Sequence, residues 1–139
     1  MNPTANDEIG QLLQKAKTIA VVGLSNSPLR PSHGVSAYLQ SHGYRIIPVN
    51  PLVSEVLGER SYGSLRDVPE KVDLVDIFRK SEDVPPIVDD AIAIGARAVW
   101  MQEGVVHQAA GDKAHAAGLK VVMDHCVLKE HARRAARKD

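Results

Sequence analysis

A polar loop at residues 23–34 carries groups suited to binding an anion. It reads GLSNSPLRPSHG and offers free backbone N–H groups and the guanidinium of Arg30. Three hydroxyl side chains lie in it: Ser25, Ser27 and Ser32. A helix is predicted to follow, and the N-terminus of a helix attracts negative charge because its first N–H groups are unpaired. The loop is a candidate phosphate cradle; the alternative is a tight turn at Gly23 and Pro28 with a solvated Arg30.

Four further short segments are polar or contain Gly or Pro, and each follows a predicted strand. They are residues 50–52, 78–80, 102–104 and 124–126. In an open parallel sheet the ligand crevice lies beyond the carboxyl ends of the strands, which is where all five loops are expected to meet. The sequence therefore predicts a ligand site at this edge.

The loop does not fit the common nucleotide motifs. Ser25 and Pro28 replace the second and third glycines of G-x-G-x-x-G, and no Gly-Lys of a P-loop follows. Asn50 follows the second strand, where an NAD site would have an acidic residue for the ribose. These departures argue against a dinucleotide and favour another phosphorylated adenine nucleotide.

The elements that must position these loops alternate along the chain. Strands are predicted at 18–24, 44–49, 72–78, 98–101 and 119–123. Helices are predicted at 5–16, 32–43, 84–94, 105–117 and 127–138, while residues 51–70 are less regular. Asn6 or Asp7 is expected to cap the first helix. Three glycines are expected to end helices: Gly43, Gly95 and Gly118.

Strands that alternate with helices predict an α/β fold with a doubly wound, Rossmann-like parallel sheet of five strands in three α/β/α layers. We expect the strand order 3-2-1-4-5. No linker, repeat or low-complexity segment interrupts the pattern, so residues 1–139 are expected to form a single domain.

Five motifs in order make the sequence resemble a known family. They are VVGLSNSPLRPSHGV, GYRIIPVNP, YGSLRDVPEKVDLVDIFR, AVWMQEGV and GLKVVMDHC, within about residues 10–127. Together they resemble the small stand-alone coenzyme A-binding proteins, whose domain is similar to the N-terminal domain of the succinyl-CoA synthetase α subunit. The resemblance implies non-covalent binding of coenzyme A or an acyl-CoA by a carrier, sensor or regulator, and we assign no catalytic residue.

The resemblance also implies which residues meet the cofactor. The pyrophosphate would be held by Gly23, Leu24, Ser25, Ser27, Arg30 and Ser32. The adenosine side and the next loop would involve Asn50, Pro51, Phe78 and Arg79, and the pantetheine arm would meet Gln102, Glu103 and Gly104. Leu52 stands where the family often has a lysine for the 3′-phosphate, so Arg30, Arg79 or Lys80 would have to substitute.

Composition narrows the class of partner. The 17 Lys and Arg balance 17 Asp and Glu, so no overall charge attracts nucleic acid or a membrane surface. Neither a secretory signal nor a run of about 18 apolar residues is present, and the single cysteine, Cys126, fits a reducing compartment. We expect a cytoplasmic protein with a small-molecule ligand. The sequence leaves open whether the protein forms a homodimer or binds a protein partner.

The sequence gives weaker evidence for metal binding, thiol chemistry or catalysis. The six histidines and Cys126 form no compact set of metal ligands, so no metal is expected. Cys126 could meet the thiol of coenzyme A, but a small core residue is the favoured interpretation. Glu103 has no partner nucleophile at a recognisable spacing. Two enzyme alternatives remain: a subunit or remnant of an acyl-CoA ligase, and a nicotinamide-dependent oxidoreductase.

Overall fold

The computed structural model describes residues 7–137. The five helices are α1 (Glu8–Lys15), α2 (Pro31–Ser41), α3 (Val84–Ala93), α4 (Gln108–Ala116) and α5 (Val127–Arg137). The strands of the main sheet are β1 (Thr18–Val22), β2 (Arg45–Val49), β5 (Leu74–Ile77), β6 (Ala98–Met101) and β7 (Lys120–Val122). A small antiparallel hairpin, β3 (Glu55–Val56) with β4 (Glu59–Arg60), lies within the stretch predicted to be irregular.

The main sheet is entirely parallel, as predicted, and helices cover both of its faces. On one face α3 and α4 pack over a core that includes Val75 and Val99. On the other face α1, α2 and α5 pack over a core that includes Val21 and Trp100. Every residue of β5 and β6 is buried, and all but Asp76 are apolar, as expected for central strands covered on both faces. The predicted three-layer Rossmann-like class is confirmed.

The predicted strand order is wrong. The observed order is β2-β1-β5-β6-β7, which places the third main strand beside β1 rather than beyond β2. Pro48 explains why β2 lies at the edge, since proline has no N–H to donate and is restricted to edge strands. The outer edge of β2 is instead covered by a short segment in which Tyr62 N–H donates to the Pro48 carbonyl at 3.1 Å.

Helix ends follow local sequence signals. Asp7 caps α1, its carboxylate accepting the Gly10 N–H at 3.0 Å. Asn6, the alternative cap, and Lys138, the predicted end of α5, lie outside the described residues. Gly43, Gly95 and Gly118 have positive φ angles of 93°, 75° and 93° just after their helices, as predicted.

Two helices begin later than predicted, and the first is α1, which starts at Glu8 after its cap Asp7 rather than at residue 5. Helix α4 starts at Gln108 rather than at residue 105 because His107 is its cap and accepts the Ala110 N–H at 3.1 Å. Among residues 7–137, no helix combines the length and apolar character needed to cross a membrane.

Candidate functional site

A cavity of about 700 Å³ opens at the carboxyl ends of the central strands. The chain leaves β1 toward β2 on one side, and the next main strand, β5, returns on the other side of β1. This reversal leaves a crevice between the loops after β1 and β5, which is where open α/β sheets bind ligands. The observed strand order therefore places the topological switch point, between β1 and β5, at the cavity.

The loop after β1 forms one wall of the cavity. Gly23 has a φ of 88°, and a Cβ atom there would lie 2.4 Å from the Phe78 carbonyl oxygen. Only glycine lets the two loops approach this closely without strain. Ser32 Oγ accepts the Ser25 N–H at 3.0 Å, and Ser25 Oγ accepts the Ser27 N–H at 3.0 Å. These bonds fix the loop against the first turn of α2.

The cavity wall carries three cationic side chains, Arg30, Arg79 and Lys80. Arg79 makes an exposed ion pair with Asp83 at 3.2 Å, whereas Arg30 and Lys80 make none with the described residues. Arg30 also immediately precedes α2, whose N-terminus is electropositive. This part of the cavity is chemically suited to an anion.

The acidic residue at the rim is already paired. Both Glu103 carboxylate oxygens accept from Lys129 Nζ at 3.0 Å, and this carboxylate raises the pKa of Lys129. The ion pair links the loop after β6 to helix α5.

A second carboxyl group lies beneath the cavity. Asp76 is fully buried in β5, and Gln102 Nε2 donates to its Oδ1 at 2.5 Å. Burial raises the pKa of Asp76 to about 7 because the charged form loses its hydration. Its other oxygen, Oδ2, has no hydrogen-bond partner.

The structure brings most of the predicted site residues together. The cavity is lined by eight of them: Gly23, Ser25, Arg30, Ser32, Phe78, Arg79, Gln102 and Glu103. Five do not line it: Leu24, Ser27, Asn50, Pro51 and Gly104. Leu24 is wholly buried in the core. Ser27 Oγ accepts the Leu29 N–H at 3.4 Å within the loop, and the Gly104 N–H donates to Asp124 at 2.8 Å.

Asn50 and Pro51 lie next to the main cavity. Asn50 Nδ2 donates to the Leu24 carbonyl at 3.0 Å and its Oδ1 accepts the Leu52 N–H at 2.9 Å, so this side chain ties two loops together. Pro51 lines an adjoining cavity of about 280 Å³, whose wall also includes Arg79. Pro51 therefore borders a neighbouring space, whereas Asn50 lines neither of these two cavities.

Five residues outside the predicted set also line the main cavity: Pro31, Val35, Lys80, Val105 and Cys126. Lys80 and Cys126 belong to the polar segments expected at this edge. Val35 lies one turn into α2, and its helical periodicity marks it only as a core residue. Its place in the wall depends on how α2 packs against the sheet.

The parallel sheet and the cationic crevice at its carboxyl edge define a Rossmann-like ligand-binding domain. The chain belongs to the CoA binding domain family, whose sequence model matches residues 17–132.

The proteins similar to this chain differ in how much of their own length it covers. The uncharacterized protein YneT of Bacillus subtilis is 40% identical over 132 residues, covering 95% of this chain and 98% of YneT. The structure of a hypothetical protein from Pyrococcus horikoshii has a TM-score of 0.89 and 39% identity, with 96% of each chain covered. Subunit alpha of the ADP-forming acetate–CoA ligase II of Pyrococcus furiosus is 29% identical over 133 residues, covering 82% of this chain but 28% of that subunit.

Proposed function

We propose that this protein binds coenzyme A or an acyl-CoA without covalent attachment, across the carboxyl ends of the parallel strands. The observation that carries the proposal is the 700 Å³ cavity at the switch point, with Arg30, Arg79 and Lys80 in its wall. Membership of the CoA binding domain family supports the choice of ligand.

The anionic part of the ligand belongs at the loop after β1. Arg30 and the N-terminus of α2 would hold the pyrophosphate, because a charge-assisted hydrogen bond and the helix dipole act on the same group. The exposed Leu52 offers no charge to a 3′-phosphate, so that role falls to Arg79 or Lys80. The pantetheine arm would then extend past Phe78 toward Gln102.

A binding role, as carrier, sensor or regulator, fits the chemistry of the cavity wall. Glu103 is the acidic residue in the wall, and its carboxylate is neutralised by Lys129 at 3.0 Å. Its hydrogen-bond partner is thus a lysine rather than a nucleophile that it could activate. We assign no catalytic residue in the site.

A second candidate function is a coenzyme A-binding component of a ligase that acts with a separate chain. The match to 28% of the Pyrococcus furiosus ligase subunit favours it, since such a component would need the remaining parts from elsewhere. Formation of acetyl-CoA, ADP and phosphate from acetate, coenzyme A and ATP on adding a co-purified second chain would support this alternative; coenzyme A binding alone would not.

Calorimetric titration of nucleotide-stripped protein with coenzyme A, ADP and NADH tests the leading proposal. We expect coenzyme A to bind most tightly, because it alone has both phosphates for the cationic side chains and a pantetheine arm for the inner part of the cavity. In parallel, Arg30→Ala should weaken coenzyme A binding by about 1.5–3 kcal/mol, the range for a hydrogen bond to a charged group.

Arg97→Ala is the matched control, since Arg97 is exposed and precedes β6 at the opposite edge of the sheet. It should leave the affinity unchanged. Equal binding of ADP and coenzyme A would contradict recognition of the pantetheine arm, and equal effects of the two arginine substitutions would contradict the assignment of Arg30.

A further inference from the structure

The buried polar side chains of the described residues are concentrated at one place. They are Ser32, Ser36, Asp76 and Gln102. Ser32 and Gln102 line the main cavity, Ser36 lies one helical turn beyond Ser32, and Asp76 bonds to Gln102. Two atoms of this cluster, Ser36 Oγ and Asp76 Oδ2, are buried without a hydrogen-bond partner, and since each costs about 1–3 kcal/mol the cluster needs a reason other than stability.

Strand register places Asp76 directly beneath the cavity. Asp76 pairs with Trp100 in the neighbouring strand β6, and Gln102 follows Trp100 by two residues. Residues two apart on a strand share a face, so Asp76 and Gln102 project to the same side of the sheet. Val21 pairs with Asp76 on the other side, and Gly23, two residues further, also lines the cavity. On both neighbouring strands, β1 and β6, the residue two positions beyond the partner of Asp76 therefore lines the cavity.

The contact between the two side chains fixes the orientation of the Gln102 amide. Gln102 Nε2 donates to Asp76 Oδ1 at 2.5 Å, and above about pH 7, where the carboxyl is ionised and only accepts, the amide keeps this bond only with Nε2 toward Asp76. Its carbonyl oxygen Oε1 then points away from Asp76 and accepts no hydrogen bond from residues 7–137. In the wall of the cavity, this oxygen is available to an N–H donor of a ligand.

We propose that Asp76 is a positioning residue that holds the Gln102 amide so that its carbonyl oxygen accepts an amide N–H of the bound ligand. This inference rests on the proposed function, because the pantetheine arm of coenzyme A supplies such amide N–H groups and the nucleotide part alone does not. Asp76 itself does not touch the ligand.

A positioning role predicts that stability and binding respond in opposite directions. Asp76 Oδ2 is buried without a partner, so replacing Asp76 with an apolar residue of similar size removes a buried charge. The fold should tolerate Asp76→Leu, whereas Gln102 loses the acceptor that orients it. Asp76→Asn keeps an oxygen that can accept from Gln102 Nε2 and is the conservative control.

The experiment titrates the wild type, Asp76→Leu, Asp76→Asn and Gln102→Leu with coenzyme A and with ADP at about pH 8.5, where the carboxyl is ionised. Asp76→Leu and Gln102→Leu should each weaken coenzyme A binding about tenfold, as expected for one lost hydrogen bond, and leave ADP binding unchanged. A double variant that combines Asp76→Leu with Gln102→Leu, titrated alongside, should lose no more affinity for coenzyme A than either single variant. Asp76→Asn should stay within about threefold of the wild type, and Asp76→Leu should melt at or above the wild-type temperature.

Three results would overturn the inference. They are wild-type affinity for coenzyme A in Asp76→Leu, an equal loss of ADP and coenzyme A binding with a lower melting temperature, and a loss in Asp76→Asn as large as that in Asp76→Leu. A wild-type protein that binds no coenzyme A would instead overturn the proposed function, so the two failures are distinguishable.

Discussion

At the scale of single residues, the site combines cations at its surface with a carboxyl group in its floor. Arg30 and Lys80 are exposed groups without ion-pair partners among the described residues, and their charge remains available to an anion. Asp76 is the opposite case, because it is wholly buried and holds Gln102. The outer groups can attract an anionic ligand, and the inner pair can orient its uncharged part.

The buried carboxyl makes stability depend on pH. Burial raises the pKa of Asp76 from its ordinary 3.8 to about 7 in the folded protein. Between these values the folded state holds a proton that the unfolded chain has released, so rising pH removes stability, and the loss is complete above about pH 7. Asp76→Asn cannot ionise and escapes this loss.

We therefore expect Asp76→Asn to gain stability relative to the wild type as pH rises from about 5 to about 8, by at most about 3 kcal/mol. Urea unfolding of both proteins across this range measures the difference in the free energy of unfolding. A difference that is constant with pH, or larger at low pH, would contradict a raised pKa of Asp76 in the folded protein.

The sequence predicted the site residues unevenly, for physical reasons. Loop polarity after each strand identified Arg30, Arg79 and Gln102, because a loop's position at the sheet edge follows from the strand pattern alone. Val35 was not predicted, since its contact with the cavity depends on the packing of α2. Asp76 had a visible signal, a charged residue inside the otherwise apolar strand LVDI, but only the structure shows what it bonds to.

At the scale of elements, the loop after β1 depends on one glycine. Gly23 has a positive φ, and a side chain there would bring its Cβ within 2.4 Å of the Phe78 carbonyl oxygen. Gly23→Ala should therefore lower the free energy of unfolding by about 2–3 kcal/mol. Chemical denaturation measures the effect.

Gly34→Ala is the matched control for this prediction. Gly34 lies in helix α2, and a Cβ there has nothing within 4 Å. Alanine should stabilise the helix by up to about 1 kcal/mol. If the two substitutions had the same effect, close approach of the loops after β1 and β5 would not be what requires glycine at position 23.

The element pattern was predicted well and its arrangement less well. The bounds of β6 were predicted correctly, because a continuous apolar run between polar segments leaves little ambiguity. The strand order was wrong because alternation of strands and helices does not say which side of β1 the third main strand joins. Pro48 carried the missing information, as a proline marks β2 as an edge strand.

At the scale of the whole molecule, the two edges of the sheet offer different surfaces. The carboxyl edge has the 700 Å³ cavity with Arg30 and Gln102 in its wall. The amino edge has a cavity of about 550 Å³ whose wall includes Lys15, Arg97 and Lys120 but also Glu8 and Asp73. Open parallel sheets bind ligands at the carboxyl edge, so we expect coenzyme A to bind there. The cavity at the amino edge then serves as an internal control, at which no binding is expected.

Amide chemical-shift mapping of the ¹⁵N-labelled protein during titration with coenzyme A tests the central claim most directly. We predict that the largest changes fall at residues 23–32, 78–80 and 102–104, around the cavity at the carboxyl edge. Changes concentrated at Lys15, Arg97 and Lys120, or no changes at saturating coenzyme A, would contradict the assignment of this cavity as a coenzyme A site.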